Sequence, residues 1–287
     1  MRLGIVGMLP GDFRTHTEEH FKAISDLGFT GAGFHFPGEE TGSIQDADID
    51  HGKKLFSDNG ITLSQMAVTY KECLFDPEPA PRRLTIQKII DTAAIAAAFE
   101  AQHFLIRPGS RNPTGSWTPH RDNHTDAAWD LFIETLAEVA KGLESHGVTA
   151  VMESHLVSIL KNPETCVRMV DEVGSPKLRI VMDYVNHFEC LNQVYANQDR
   201  LDHIFDTMGA LSPVMHIKDI SLGKGLVLHI EESIPGTGEL DLAHCFRLFQ
   251  AQHPNGYGLI EHLPREKIPE ATRNTLSIAQ EAGILIK

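Results

Sequence analysis

Four short apolar runs in the second half of the chain each lead to a residue that can ligate a metal or move a proton. Val151-Met152 leads into Glu153, Val181-Met182 into Asp183, Met215 into His216, and Leu259-Ile260 into Glu261. A bare charge at the end of a buried strand is costly unless it is paired or coordinated. Two Glu, one Asp and one His form an oxygen-rich set with a single nitrogen. That set suits Mn²⁺, Mg²⁺ or Co²⁺ and admits Zn²⁺. The competing reading is a buried ion-pair network using Lys218 and Arg107. Side chains two apart on a strand share a face, so His155 lies on the face of Glu153, and Lys218 on that of His216. His155 and Lys218 are therefore expected substrate contacts. Arg107, ending the run 103–108, and His35, in Gly33-Phe34-His35-Phe36-Pro37, are further candidates. For those two, a carboxylate pair and a packed histidine are the plainer alternatives.

Eight strand-sized runs position these residues: 3–7, 31–37, 62–68, 103–108, 149–155, 179–184, 214–220 and 257–263. Each is nearly continuous in apolar character, as a parallel sheet covered on both faces requires. Helical patterns lie between them. Thr15-His16-Thr17-Glu18 reads as a capping box. Asn162-Pro163-Glu164 reads as an N-cap, a proline in the first turn and an acid. The stretches 82–101, 126–146, 200–208, 240–252 and 266–282 complete the alternation. Eight βα units predict a single (β/α)8 barrel domain over residues 1–287. A doubly wound sheet competes, but no glycine-rich dinucleotide fingerprint is present. Helix-to-strand connections are short. The strand-to-helix stretches 109–124, which carries Trp117, and 221–239, which carries four glycines, are long, and such loops build the working face of a barrel.

The chain has 287 residues and a net charge of −14, which disfavours phosphate backbones, so nucleic acid is not expected as a partner. The longest apolar run, 93–99, is too short for a bilayer. The N-terminal segment reaches a Pro-Gly turn at once and reads as no secretory leader. Cys73, Cys166, Cys190 and Cys245 show no CxxC spacing. These features predict a cytoplasmic protein.

In this order the motifs resemble the xylose isomerase-like, sugar phosphate isomerase/epimerase TIM barrels. Glu153-Ser154-His155 resembles the family's E-x-H element, and Asp183-Tyr184-Val185-Asn186 its D-x-x-N element. His216-Ile217-Lys218-Asp219 resembles H-x-K-D, Pro235-Gly236-Thr237-Gly238 the segment ahead of the next helix, and Glu261 the final glutamate. The resemblance implies that Glu153, Asp183, His216 and Glu261 bind one divalent ion, Mn²⁺ first. It further implies a keto sugar as substrate, with Glu153 and Glu261 passing a proton on opposite sides of an enediolate. No phosphate-binding glycine loop is evident, which favours an unphosphorylated sugar or sugar acid. His155, Lys218, Arg107, His35 and His187 would contact the substrate, and the chain would form a homodimer or homotetramer. Two departures stand out. The ketose 3-epimerases of this superfamily carry a glutamate and an arginine where this chain has Ile159 and Leu222, and His187 comes one residue later than their histidine. The alternative is a lyase of the same fold, a dehydratase, 3-keto-glycoside eliminase or keto-acid decarboxylase. The endonuclease IV type needs an Asp-x-His after the seventh strand, and here Asp219 is followed by Ile220-Ser221-Leu222.

Overall fold

Apolar strands that need cover on both faces obtain it by closing into a barrel inside a ring of helices. The computed structural model describes residues 1–287. In chain order the elements begin β1 (Arg2–Val6), α1 (Glu18–Asp26), β2 (Gly31–Pro37), α2 (Asp46–Asp58), β3 (Thr62–Thr69), α3 (Pro79–Ala98) and β4 (Phe104–Ile106). Then come α4 (Asp126–His146), β5 (Ala150–Met152), α5 (Pro163–Val173), β6 (Leu178–Met182), α6 (Leu191–Tyr195), α7 (Asn197–Met208) and β7 (Val214–Ile217). The chain finishes with β8 (Asp219–Leu222), β9 (Ile230–Ser233), α8 (Leu242–Gln252), β10 (Tyr257–Ile260) and α9 (Ile268–Glu281). Strands β1 to β7 and β10 form the closed parallel barrel, with β10 between β7 and β1. No helix is long and apolar enough to cross a membrane.

Two apolar layers hold the fold together. The larger lies between barrel and helices. The smaller fills the barrel interior with Val6, Ala67, Leu105, Val151, Val181, Val214, Tyr257 and Leu259. This inner layer sets the site. Val151, Val181, Val214 and Leu259 each point inward two residues before Glu153, Asp183, His216 and Glu261, so strand alternation sends all four ligand-type side chains into the same space. Leu105 does the same for Arg107.

The expected helix signals are present, with one shift. Asn162 caps α5 by accepting the Thr165 amide at 3.0 Å, with Pro163 in the first turn. Gly147 closes α4 at φ 71°, a left-handed backbone that favours glycine. The cap of α1 is Thr17, not Thr15: the Thr17 amide donates to His20 Nδ1 at 3.2 Å, while Thr15 ends a 3-10 turn.

The run 214–220 is not one strand. β7 stops at Ile217, and Asp219–Leu222 pairs antiparallel with β9 as a hairpin over the barrel mouth. The break lies at Lys218. Its amide donates to the Tyr184 hydroxyl at 3.1 Å, and that hydroxyl donates to the Lys218 carbonyl at 2.6 Å. One buried phenol thus takes both backbone groups that would have continued the ladder. Asp219 then anchors the far side of the hairpin, accepting the amides of Gly236 at 3.1 Å and Gly238 at 2.9 Å. The glycine-rich stretch 221–239 is thus tied to the barrel by the β8–β9 ladder and by Asp219.

Candidate metal centre

Glu153, Asp183, His216 and Glu261 each bring one ligand atom into a group whose members all lie within 4.8 Å of one another. The three acids lie one residue past β5, β6 and β10, and the imidazole lies within β7. All four are buried, Asp183 and His216 completely. Lys218 is buried beside them, with Nζ 2.6 Å from Asp183 Oδ2 and 3.3 Å from Glu261 Oε2. Three carboxylates and one ammonium leave two uncompensated negative charges, which one divalent cation would neutralise.

The hydrogen bonding tests that fit. His216 Nε2 lies 3.0 Å from Gln65 Oε1, from β3 across the barrel. With a proton on Nε2, the Nδ1 lone pair faces the acids. Nδ1 is 2.8 Å from Glu261 Oε2 and 3.5 Å from Asp183 Oδ2, yet neither contact is aligned as a hydrogen bond. Asp183 Oδ1, His216 Nδ1 and Glu261 Oε2 are all buried without a hydrogen-bond partner. Three buried ligand atoms left without a hydrogen-bond partner are what a cation needs, so the donor set fits a divalent metal. The competing ion-pair network is only half present. Lys218 joins it, but Arg107 does not, because its guanidinium donates to the Tyr70 carbonyl and stacks over the Tyr70 ring at 4.9 Å.

The charges push the acids apart. Burial, then the neighbouring Glu261, raises the Glu153 carboxyl. For Glu261 burial alone would do the same, but His216 and Lys218 hold it well below the ordinary range. Asp183 is likewise lowered, against its burial, chiefly by Lys218 and then His216. Burial would lower His216, yet Glu261 and Asp183 raise it to about 10 without a metal, so a proton takes the cation's place. Its folded value lies above the ordinary 6.5, so this contribution to metal-free stability is complete below pH 6.5 and lost as pH rises through about 10. Metal binding is expected to release that proton across this window. Calorimetric titration with Mn²⁺ in buffers of different ionisation heat would read it; a heat independent of buffer would refute it.

The expected substrate contacts fall into two groups. A cavity of about 260 Å³ beside the acids is walled by His35, Thr69, Arg107, Trp117, Glu153 and His262, among others. His35 Nε2 lies 3.6 Å from Glu261 Oε1. His155 packs its ring 5.8 Å from that of Trp117, and burial lowers its pKa. Lys218 reaches the acids directly. His187 is not brought to the cavity: it is fully buried, with Nε2 2.9 Å from the Ser154 hydroxyl, and burial pushes it down to about 3.

Sequence reading missed two residues. His262 follows Glu261, so alternation would send it away from the cavity. A left-handed backbone, φ 61°, turns it back. Its Nδ1 then lies 3.5 Å from Glu232 on the hairpin. The other is Gln65, whose only signal was a long amide within an apolar run. Gln65→Leu is expected to weaken Mn²⁺ binding about 10- to 100-fold by freeing the His216 tautomer. Direct metal titration would show it, and an unchanged affinity would remove Gln65 from the site.

The family description "Xylose isomerase-like TIM barrel" matches residues 21–281. Sequence comparison with curated proteins finds no match. Among solved structures, D-psicose 3-epimerase with D-tagatose from Clostridium cellulolyticum H10 is similar, with TM-score 0.73 and 15% identity over 99% of this chain and 100% of that one. A xylose isomerase-like TIM barrel protein from Mycobacterium smegmatis in complex with magnesium has TM-score 0.70 and 15% identity, covering 94% of this chain and 90% of that one. The probable 3-DHS dehydratase of petrobactin synthesis from Bacillus anthracis has TM-score 0.70 and 12% identity, covering 98% and 99%. At these identities the likeness is one of fold.

Proposed function

Because the chain belongs to the xylose isomerase-like TIM-barrel family by its match over residues 21–281, we propose that it is a divalent-metal-dependent isomerase or epimerase of a keto sugar or sugar derivative. The observation that carries this reading is the pair of buried glutamates in one ligand group. Glu153 follows β5 and Glu261 follows β10, three strand positions apart around the barrel, with Asp183 and His216 on the strands between. A divalent ion, Mn²⁺ by first choice, would be held by these four residues and would supply Lewis-acid stabilisation of an enediolate. One glutamate takes the proton next to the substrate carbonyl and the other delivers one from the opposite side. Lys218 and His155 donate hydrogen bonds to substrate oxygens. Trp117 shields the cavity, since water there would weaken every charge interaction.

A lyase is the second reading, favoured by two observations. Ile159 is buried in the core and Leu222 lies on the hairpin, so neither supplies the polar group a 3-epimerase would have there. His262 adds a proton donor to the cavity wall, where elimination would need one.

Incubation of the Mn²⁺-loaded protein with keto sugars in D₂O tests both. Deuterium incorporation with the carbon skeleton intact is expected for the isomerase or epimerase. Loss of water, an alcohol or CO₂ would give the lyase. No exchange and no turnover over a broad panel would refute both.

A further inference from the structure

Arg107 walls two cavities at once. On one side lies the cavity of the metal centre. On the other is a cleft of about 630 Å³, whose lining includes Lys71, Glu72, Asp76, Arg111 and Ser116. The loop after β4 serves both, with Trp117 on the inner cavity and residues 110–116 on the outer cleft. The inner cavity alone is at the small end for a ligand site, and the outer cleft is of ordinary ligand size.

The outer cleft is cationic in a chain of net charge −14. Of its two acids, Glu72 is already matched by Lys88 at 2.7 Å, and Asp76 accepts the Glu78 amide at 2.8 Å, against Lys71, Arg107 and Arg111. Its arginines form no ion pair with a carboxylate. Arg107 donates Nη2 to the Tyr70 carbonyl, and Arg111 donates Nε and Nη2 to the Phe75 carbonyl at 3.1 and 2.9 Å. Each also lies over a buried ring, Arg107 over Tyr70 at 4.9 Å and Arg111 over Phe75 at 5.7 Å. The backbone of Arg107 is held as well, because its amide donates to the Tyr70 hydroxyl at 2.9 Å and its carbonyl accepts from that hydroxyl. Arg107 Nε is buried with no partner. Two guanidinium groups held in place by carbonyls and rings, with donors to spare and no counterion, are prepared for an anion.

We propose that this cleft is an anion subsite. Arg107 and Arg111 bind a carboxylate or phosphate of the substrate, at the end remote from the carbons that react between Glu153 and Glu261. The inference deepens the function proposed above and rests on it for the word substrate: the molecule would be a keto sugar acid or a sugar phosphate.

The test uses metal-stripped protein at fixed ionic strength, titrated calorimetrically with inorganic phosphate and, separately, with D-gluconate. Saturable binding of one probe is expected, and which one binds distinguishes phosphate ester from sugar carboxylate. Arg111→Met is expected to weaken that binding about 10- to 100-fold. Arg111→Lys, which keeps the charge, should recover part of it. Mn²⁺ titration of the same three proteins should give one unchanged affinity, so the metal centre is read independently of the subsite. Wild type that binds neither probe, or an Arg111→Met variant that binds as wild type does, would overturn the subsite while leaving the metal-dependent reading standing. Normal anion binding without any Mn²⁺ affinity would do the reverse.

Discussion

Glu261→Gln is expected to lower kcat about 10²- to 10⁴-fold, the range for loss of a positioned acid or base. The amide has nearly the shape of the carboxylate and keeps an oxygen for a cation. With Mn²⁺ in excess the variant should therefore still hold the ion, its metal-free melting temperature falling because a partner of Lys218 and His216 has lost its charge, while turnover falls much further. The companion variant Glu153→Gln should lose activity to a similar extent. If the two glutamates serve opposite sides of the substrate, each single variant retains solvent exchange of the proton that the other residue handles. Deuterium wash-in measured by NMR on both variants tests this. Full activity in Glu261→Gln would end its assignment as a proton carrier. Loss of exchange at every position in both variants would point to a single base instead. Asp183→Ala separates metal binding from proton transfer, since it should lose the ion altogether in elemental analysis.

Lys218→Met should give the largest change in stability. The Lys218 ammonium is 2% exposed and lies within 3.3 Å of two carboxylates. Those carboxylates raise its pKa against the opposing effect of burial. Removing the charge leaves three buried acids with only His216 among them. Breaking a buried ion pair by deleting one partner costs about 3–5 kcal/mol. The metal-free variant should melt well below wild type. A divalent ion should recover most of the difference, because ligand that binds only the folded state stabilises it in proportion to its affinity. The variant also removes the cation that competes for Asp183, so Mn²⁺ should raise its melting temperature by more than it raises that of wild type. Thermal melts with EDTA and with Mn²⁺ would measure both. Equal melting temperatures in EDTA would show that the ammonium does not balance the acids.

The barrel was legible because buried parallel strands need long apolar runs, and eight such runs alternate with helical stretches. The convergence of Glu153, Asp183, His216 and Glu261 was legible for a related reason. An acid or imidazole at the end of a buried apolar run is costly, and four consecutive runs carry one at the same end. Residues two apart on a strand share a face, so His155, Lys218 and Arg107 could be carried along with them. His187 shows where that reasoning stops. It lies beyond β6 in a 3-10 turn, where period two no longer holds, and its ring turns behind Ser154 instead of into the cavity.

Contacts between distant parts of the chain decided what periodicity could not. Tyr184 captures both backbone groups of Lys218, ends β7 and frees Asp219–Leu222 to form the hairpin. Gln65 meets His216 Nε2 across 151 residues of chain, on the side of the ring away from the acids. The backbone of His262 is left-handed, which returns to the cavity a side chain that alternation would send away. Arg107 and Arg111 line one cleft because each donates to a carbonyl of the segment after β3, at Tyr70 and Phe75. Local sequence determines which face of a strand or helix a side chain occupies, because that follows from backbone period. Which partner a buried hydroxyl, amide or guanidinium finds depends on how the closed barrel brings strand ends together, and no local pattern encodes it.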